Sequence, residues 1–183
     1  MVRIVRWRSC EGDGIEHLVL EEGRDGVRAE AVVIGTGDGR PFAIRYVLAC
    51  DAGWRVRALE VVSIGDGRRI AVRADGAGHW TDEAGAALPA LDGAIDVDIA
   101  ATPFTNTLPI RRLGLAAGQA AEIVTAYVSV PDLALAPDPQ RYTCLVPGRR
   151  YRYESLDSDF TREIETDDDG LVTDYPGLFR RVD

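Results

Sequence analysis

Hydrophobic alternation with a period of two runs through almost the whole chain and confines it to β structure. Successive side chains of a strand point to opposite faces, so such a pattern gives each strand one buried and one solvated side. Residues 1–10 alternate arginine with apolar side chains and read as a first strand. The run Ile15-Glu-His-Leu-Val-Leu-Glu-Glu22 precedes a Gly23-Arg-Asp-Gly26 turn, and 27–34 follows as the next strand. Gly35-Thr-Gly-Asp-Gly39 leads into 42–50, rich in β-branched and aromatic residues. Asp51-Ala-Gly53 connects to 54–64, and Gly65-Asp-Gly67 separates that strand from 69–75. Glycine and aspartate crowd these short turns because several of their positions need positive φ angles. The result is an antiparallel meander.

Within 54–64 the alternation changes parity. Trp54, Val56 and Ala58 share one face and Arg55 and Arg57 the other, yet Leu59 and Val61 are also apolar. A β-bulge or a sharp bend near Leu59 would reconcile the two, as in a sheet that curls on itself. Further on, 83–91 is alanine-rich and holds a short helical turn limited by Gly85 and Pro89. Asp96-Val-Asp-Ile99 reads as a short strand. Thr102-Pro-Phe-Thr-Asn-Thr-Leu-Pro-Ile110 is expected to be irregular, with two prolines six residues apart. A strand over 123–130 ends at Pro131, and strands return over 141–146, 149–155, 160–165, 171–175 and 178–182. The expected fold is mainly β: one antiparallel sheet of about ten to twelve strands, curled into a roll or half-barrel with few short helical turns. No repeat or linker divides the sequence, so residues 1–183 form a single domain.

Composition removes several function classes. A hydrophobic fraction of 46% with 28% charged residues is ordinary for a folded globular chain, so disorder is not expected. The net charge of −9 works against nucleic-acid binding, which needs a basic surface to displace counterions from phosphates. All 21 basic residues are arginine, which reads as codon bias in a GC-rich genome. No apolar run approaches the roughly 20 residues of a membrane span. No secretion signal precedes the first strand, so a cytoplasmic location is expected. Cys10, Cys50 and Cys144 are odd in number and widely spaced, which predicts buried free thiols rather than disulfides or a zinc site. His17 and His79 are expected in hydrogen-bonded structural roles.

Few arrangements carry chemistry. Asp96 and Asp98 lie two apart on one strand face, where a carboxylate pair can share a proton or serve as acid and base. Asp167-Asp-Asp-Gly170 is similar to a fragment of a calcium loop, but the final acidic ligand would fall at Pro176, so a solvated hairpin turn is expected. No nucleophile motif or phosphate-binding loop is present, and neither a metal nor a cofactor is called for. The stretch from Asp96 to Leu113 stands out, with Asn106 the sole asparagine in the chain. It is expected to cross the open end of the curled sheet. There its threonine and asparagine side chains would satisfy backbone groups while Phe104 and Leu108 plug the core.

The same stretch resembles the signature of a bacterial glycolipid-binding family, carried by Thr102-Pro-Phe-Thr-Asn-Thr-Leu-Pro-Ile-Arg-Arg-Leu113 with Asp96-Val-Asp98 before it. Further similarities are Trp54 after Asp51, Gly76-Ala-Gly-His-Trp80, Tyr127-Val-Ser-Val-Pro-Asp-Leu133, Gln140-Arg-Tyr142 and Asp169-Gly-Leu-Val-Thr-Asp-Tyr-Pro176. The resemblance covers nearly the whole chain. It implies a mostly β roll similar in shape to extracytoplasmic lipoprotein and lipid carriers, and it transfers no catalytic residue.

The functional expectation is a concave sheet face that holds the apolar tail of a lipid-like small molecule. Trp54, Trp80 and Phe104 are the candidate apolar lining, and Asn106, Arg111 and Tyr142 the candidate polar contacts near the mouth. Two alternatives differ in class. One is a homodimeric interaction module that uses an uncovered face or edge of the sheet. The other is an enzyme acting on a sugar or acyl derivative through Asp96 and Asp98, marked by a cleft and a raised carboxyl pKa.

Overall fold

A computed structural model describes residues 1–182. The alternating runs become strands β1 (Val2–Ser9), β2 (Ile15–Glu22), β3 (Val27–Gly37), β4 (Arg40–Cys50), β5 (Val56–Ser63), β6 (Arg69–Ala74) and β7 (Trp80–Asp82). A 3-10 turn over Pro89–Leu91 follows, then β8 (Asp96–Ile99), a second 3-10 turn over Phe104–Asn106 and helix α1 (Thr107–Leu113). The remaining strands are β9 (Ala120–Val128), β10 (Leu135–Val146), β11 (Arg150–Ser155), β12 (Thr161–Thr166), β13 (Val172–Tyr175) and β14 (Phe179–Val182). All 14 join one curled, unclosed sheet in the order β7-β6-β5-β4-β3-β2-β1-β14-β13-β12-β11-β10-β9-β8. Because β1 pairs with both β2 and β14, the two ends of the chain meet in the middle of the sheet.

The curled β sheet agrees with the sequence reading, and the differences are local. The 14 strands exceed the expected ten to twelve, since a three-residue element such as β7 is too short for alternation to register. The sheet is mixed rather than wholly antiparallel, because β8 and β9 pair in parallel. A parallel neighbour needs a long crossover, and residues 100–119 with α1 supply it. The β-bulge lies two residues before Leu59. Ala49 faces Ala58 and Cys50 faces Val56, so Arg57 is the extra residue and both Val56 and Leu59 reach the interior.

The stretch expected to be irregular is helical from Phe104 to Leu113. Its prolines sit where helices accept them. Pro103 stands just outside the 3-10 turn, and Pro109 falls in the first turn of α1, whose N–H groups lack intrahelical partners anyway. Gly114 ends the helix in the left-handed region at φ 54°. Arg111 and Arg112 therefore lie in the last turn of a helix.

Strand β10 begins six residues earlier than predicted, despite Pro137 and Pro139. Its first half is paired along β9, while pairing with β11 starts only at Gln140. The Pro139 carbonyl accepts from the Leu156 N–H on the side away from β9, so the missing proline donors cost that ladder nothing. Cys50 and Cys144 are buried free thiols as expected, but Cys10 is exposed because its strand ends at Ser9. His17 accepts from Arg6, and His79 pairs with Asp75 in a turn. Asp167 accepts from the backbone N–H groups of Asp169 and Leu171, which makes 167–170 the hairpin turn of β12 and β13.

Two hydrophobic clusters fill the roll. The larger gathers Trp7, Leu18, Leu20, Tyr46, Leu48, Leu59, Trp80 and the crossover residues Phe104 and Leu108. The smaller holds Tyr142, Cys144, Tyr151, Tyr153, Ile164, Val172 and Tyr175 around Ile110 of α1. The crossover thus presents Phe104 and Leu108 to one cluster and Ile110 to the other. At the open seam, the Gly93 N–H donates to the Gly78 carbonyl at 2.8 Å. A Cβ on Gly78 would lie 2.9 Å from the Gly93 Cα, so this close approach excludes any side chain.

Candidate functional site

On β2 the inward positions are Glu16, Leu18 and Leu20. The first is a carboxyl at a core position, only 2% exposed. Two hydroxyls from different parts of the fold satisfy it. Tyr46 Oη on β4 donates to one carboxyl oxygen and Thr102 Oγ1 in the crossover to the other, each at 2.6 Å. The Phe104 backbone N–H in turn donates to Thr102 Oγ1 at 3.0 Å, which orients that hydroxyl. Loss of hydration pushes the Glu16 carboxyl up to about 7, against the opposing pull of its two hydroxyl donors.

Glu16 lies in the wall of a cavity of about 190 Å³ at one end of the roll. The β1–β2 connection, the β3–β4 hairpin, residues after β8, Val130 in the β9–β10 connection and the β13–β14 hairpin converge there. Trp7, Val33, Phe42, Leu178 and Phe179 supply the apolar wall, and the exposed Ile15 and Ile34 stand in its outer part. Parity alone could have found Glu16, since it shares the face of Leu18 and Leu20. The cavity itself has no signal in the sequence, because five separated segments build it.

A second polar group lies on the other side of the crossover. Asp98 accepts from Thr105 Oγ1 at 3.0 Å and from Gln140 Nε2 at 2.7 Å, and Gln140 Nε2 also donates to Asp138 at 2.6 Å. Gln140 is fully buried, and its Oε1 has no hydrogen-bond partner. Burial raises the Asp98 carboxyl to about 6, with the charge of Asp138 adding to the effect. Asp96 is fully buried and held by Arg112 through two nitrogens, the shorter contact 2.6 Å. Burial raises its carboxyl while Arg112 opposes that shift. The two aspartates share a strand face as expected but hold separate partners.

The six residues singled out from the sequence fall into three places. Trp80 and Phe104 are packed in the larger cluster, and Trp80 Nε1 donates to the Ala94 carbonyl at 2.8 Å. Trp54 is buried at a positive φ of 63°, with the Arg111 guanidinium 4.8 Å above its ring. Arg111 also reaches the Asp169 carbonyl at 3.0 Å. Asn106 and Tyr142 meet directly, Tyr142 Oη donating to Asn106 Oδ1 at 2.8 Å. Asn106 Nδ2 donates to the Pro103 carbonyl, the backbone role expected of this loop's polar side chains. The structure brings together Trp54 with Arg111 and Asn106 with Tyr142, and none of the six lines the cavity beside Glu16.

Among the described residues no cluster of three or more histidine, cysteine, aspartate or glutamate side chains could hold a metal ion. No described helix is long and apolar enough to cross a membrane.

Comparison with known proteins places these features in a family. A protein of the DUF1089 family from Pseudomonas aeruginosa, known from a crystal structure, is 42% identical. The similarity covers 91% of this chain and 92% of that one, with a TM-score of 0.80. No curated protein matches the chain. The family model described as "Putative glycolipid-binding" matches residues 4–181, nearly the full length of the sheet, and the chain therefore belongs to that family.

Proposed function

We propose that this chain binds a small apolar or amphipathic molecule in the end cavity beside Glu16. The observation that carries the reading is a space of about 190 Å³ with aromatic and aliphatic walls and one buried carboxyl. Ligand sites of this kind combine an apolar body with very few placed polar groups. Family membership supports a lipid-like ligand. A cavity of about 150 Å³ holds one benzene ring, so the enclosed part of the ligand is a single ring or a short chain end. The remainder of a larger amphiphile would rest over Ile15 and Ile34, which are 37% and 45% exposed. In this reading Trp80, Phe104, Asn106 and Tyr142 are the filled framework behind the cavity, and Trp54 with Arg111 braces the crossover.

The separate partners of Asp96 and Asp98 support binding over acid–base catalysis. An ion-paired carboxylate gripped from two guanidinium nitrogens is poorly placed to exchange protons with a substrate.

Native mass spectrometry of gently purified protein, with a lipid panel added afterwards, tests the reading. A stoichiometric amphiphile on the parent chain and its loss in Ala100→Trp, a bulky residue at an exposed position of the cavity wall, is the expected result. A bare mass with every panel member would overturn it. Attention would then pass to self-association through the exposed Val2, Ile4 and Val32 on β1 and β3.

A further inference from the structure

The charge of the cavity wall is one-sided. The chain carries 21 arginines, yet none lines the cavity, and the charged residues that do are Glu11 at the exposed rim and Glu16 inside. Glu16 is met by two hydroxyl donors and by no guanidinium. This contrasts with Asp96, whose burial is matched by Arg112. A carboxyl held only by neutral donors keeps free acceptor capacity, since two of its roughly four lone-pair sites are occupied. Three aromatic side chains, Trp7, Phe42 and Phe179, complete the wall. An aromatic face attracts a cation and offers nothing to an anion, and that of Trp7 already carries the Arg181 guanidinium, 5.9 Å from its centroid. The net charge of −9 acts in the same direction at long range, drawing cations in and slowing the approach of carboxylates.

We infer that the ligand of this cavity carries a protonated amine on a compact apolar body, with Glu16 as its counter-ion and Trp7, Phe42 and Phe179 packed around the alkyl or aryl part. This rests on the reading of the cavity as a small-molecule site and names the chemical class that the site selects. The inference sets amines against two other classes that fill the same volume, neutral alcohols and carboxylates. A fatty-acid headgroup would place a second negative charge beside Glu16 with no arginine to offset it.

Three probes of nearly equal shape separate these classes: benzylamine, benzyl alcohol and benzoate. Each is titrated calorimetrically into the full chain at about pH 8, above the ionisation of Glu16 at about 7. Benzylamine is expected to bind at least about tenfold more tightly than benzyl alcohol, a difference of about 1.4 kcal/mol, and benzoate is expected to show no binding. Glu16→Gln should bring benzylamine down to the level of benzyl alcohol, with a thermal melt confirming that the variant folds. Equal binding of amine and alcohol by the parent chain, or tighter binding of benzoate, would overturn the amine assignment while leaving the small-molecule reading intact. Failure of all three probes would also overturn it, and the lipid-panel result would then decide whether the cavity reading falls as well. The ranking on the parent chain stands whether or not the glutamine variant folds.

Discussion

The two sides of the crossover bury polar groups by different means. Around β1–β7 the interior is tryptophan, leucine, valine, isoleucine and alanine with a single tyrosine, Tyr46, and its one buried carboxyl, Glu16, has only hydroxyl donors. Around β9–β14 the interior is built on tyrosines, with Tyr142 and Tyr153 edge to face at 5.5 Å and Tyr153 and Phe160 at 5.8 Å. There the carboxyls have charged or amide partners, Arg112 for Asp96 and Gln140 for Asp98. A carboxyl with a guanidinium has a cation opposing the rise that burial imposes on it, at the cost of ordering two side chains. One with hydroxyls alone stays in the fold by shifting its pKa and keeps acceptor sites open. The first arrangement is a structural joint, and the second leaves room for a ligand.

The largest test of this contrast is Arg112→Ala, which leaves the fully buried Asp96 without its cation. A loss of about 3–5 kcal/mol is expected from urea denaturation, and a loss below about 1 kcal/mol would show that Asp96 is not held ionised by this pair.

Next in size is a pH effect confined to Glu16. Its carboxyl ionises at about 7 in the folded chain, against an ordinary value of 4.5. The folded state therefore holds the proton more tightly than the unfolded state. The stability this contributes is fully present below pH 4.5 and is lost as pH rises to about 7, by about 3 kcal/mol. Relative to Glu16→Gln, the parent chain should lose that much stability across the interval in melts at stepped pH. Parallel curves for the two chains would mean that Glu16 titrates normally.

A smaller effect belongs to the hydroxyl that joins the crossover to the tyrosine side. Tyr142→Phe strands Asn106 Oδ1 and should cost about 1 kcal/mol in the same denaturation measurement. Tyr153 offers the control. Its ring packs against Tyr142 and Phe160, so Tyr153→Phe keeps the aromatic contacts and should change stability by less than about 0.5 kcal/mol. Equal losses in the two phenylalanine variants would mean that the Tyr142–Asn106 bond does no more than an exposed hydroxyl.

Particular residues show why some of this was legible in advance. β2 was placed residue for residue because its alternation and flanking glycines agree. The bulge beside Arg57 was visible as a parity break and was misplaced by two residues, since apolar residues on both sides of a bulge look alike in sequence. The crossover helix was hidden by Pro103 and Pro109, which argue against helix unless the helix starts between them. The early part of β10 was hidden by prolines that are acceptable only where the second side of a strand is unpaired. Asp96 and Asp98 were seen as a pair on one face, but nothing local indicated that Arg112 and Gln140 would divide them.

What the sequence determined by itself is what depends on near neighbours along the chain. Period two and turn residues at fixed intervals establish a curled β sheet. The motif from Asp96 to Leu113 marks the segment that crosses the roll. Only the tertiary structure decided that the ends of five connections enclose a cavity, that Tyr46 and Thr102 meet on Glu16, and that no arginine pairs with it. The reason is distance along the chain. Thr102 and Glu16 are 86 residues apart, so no local pattern records that their side chains lie 2.6 Å from each other.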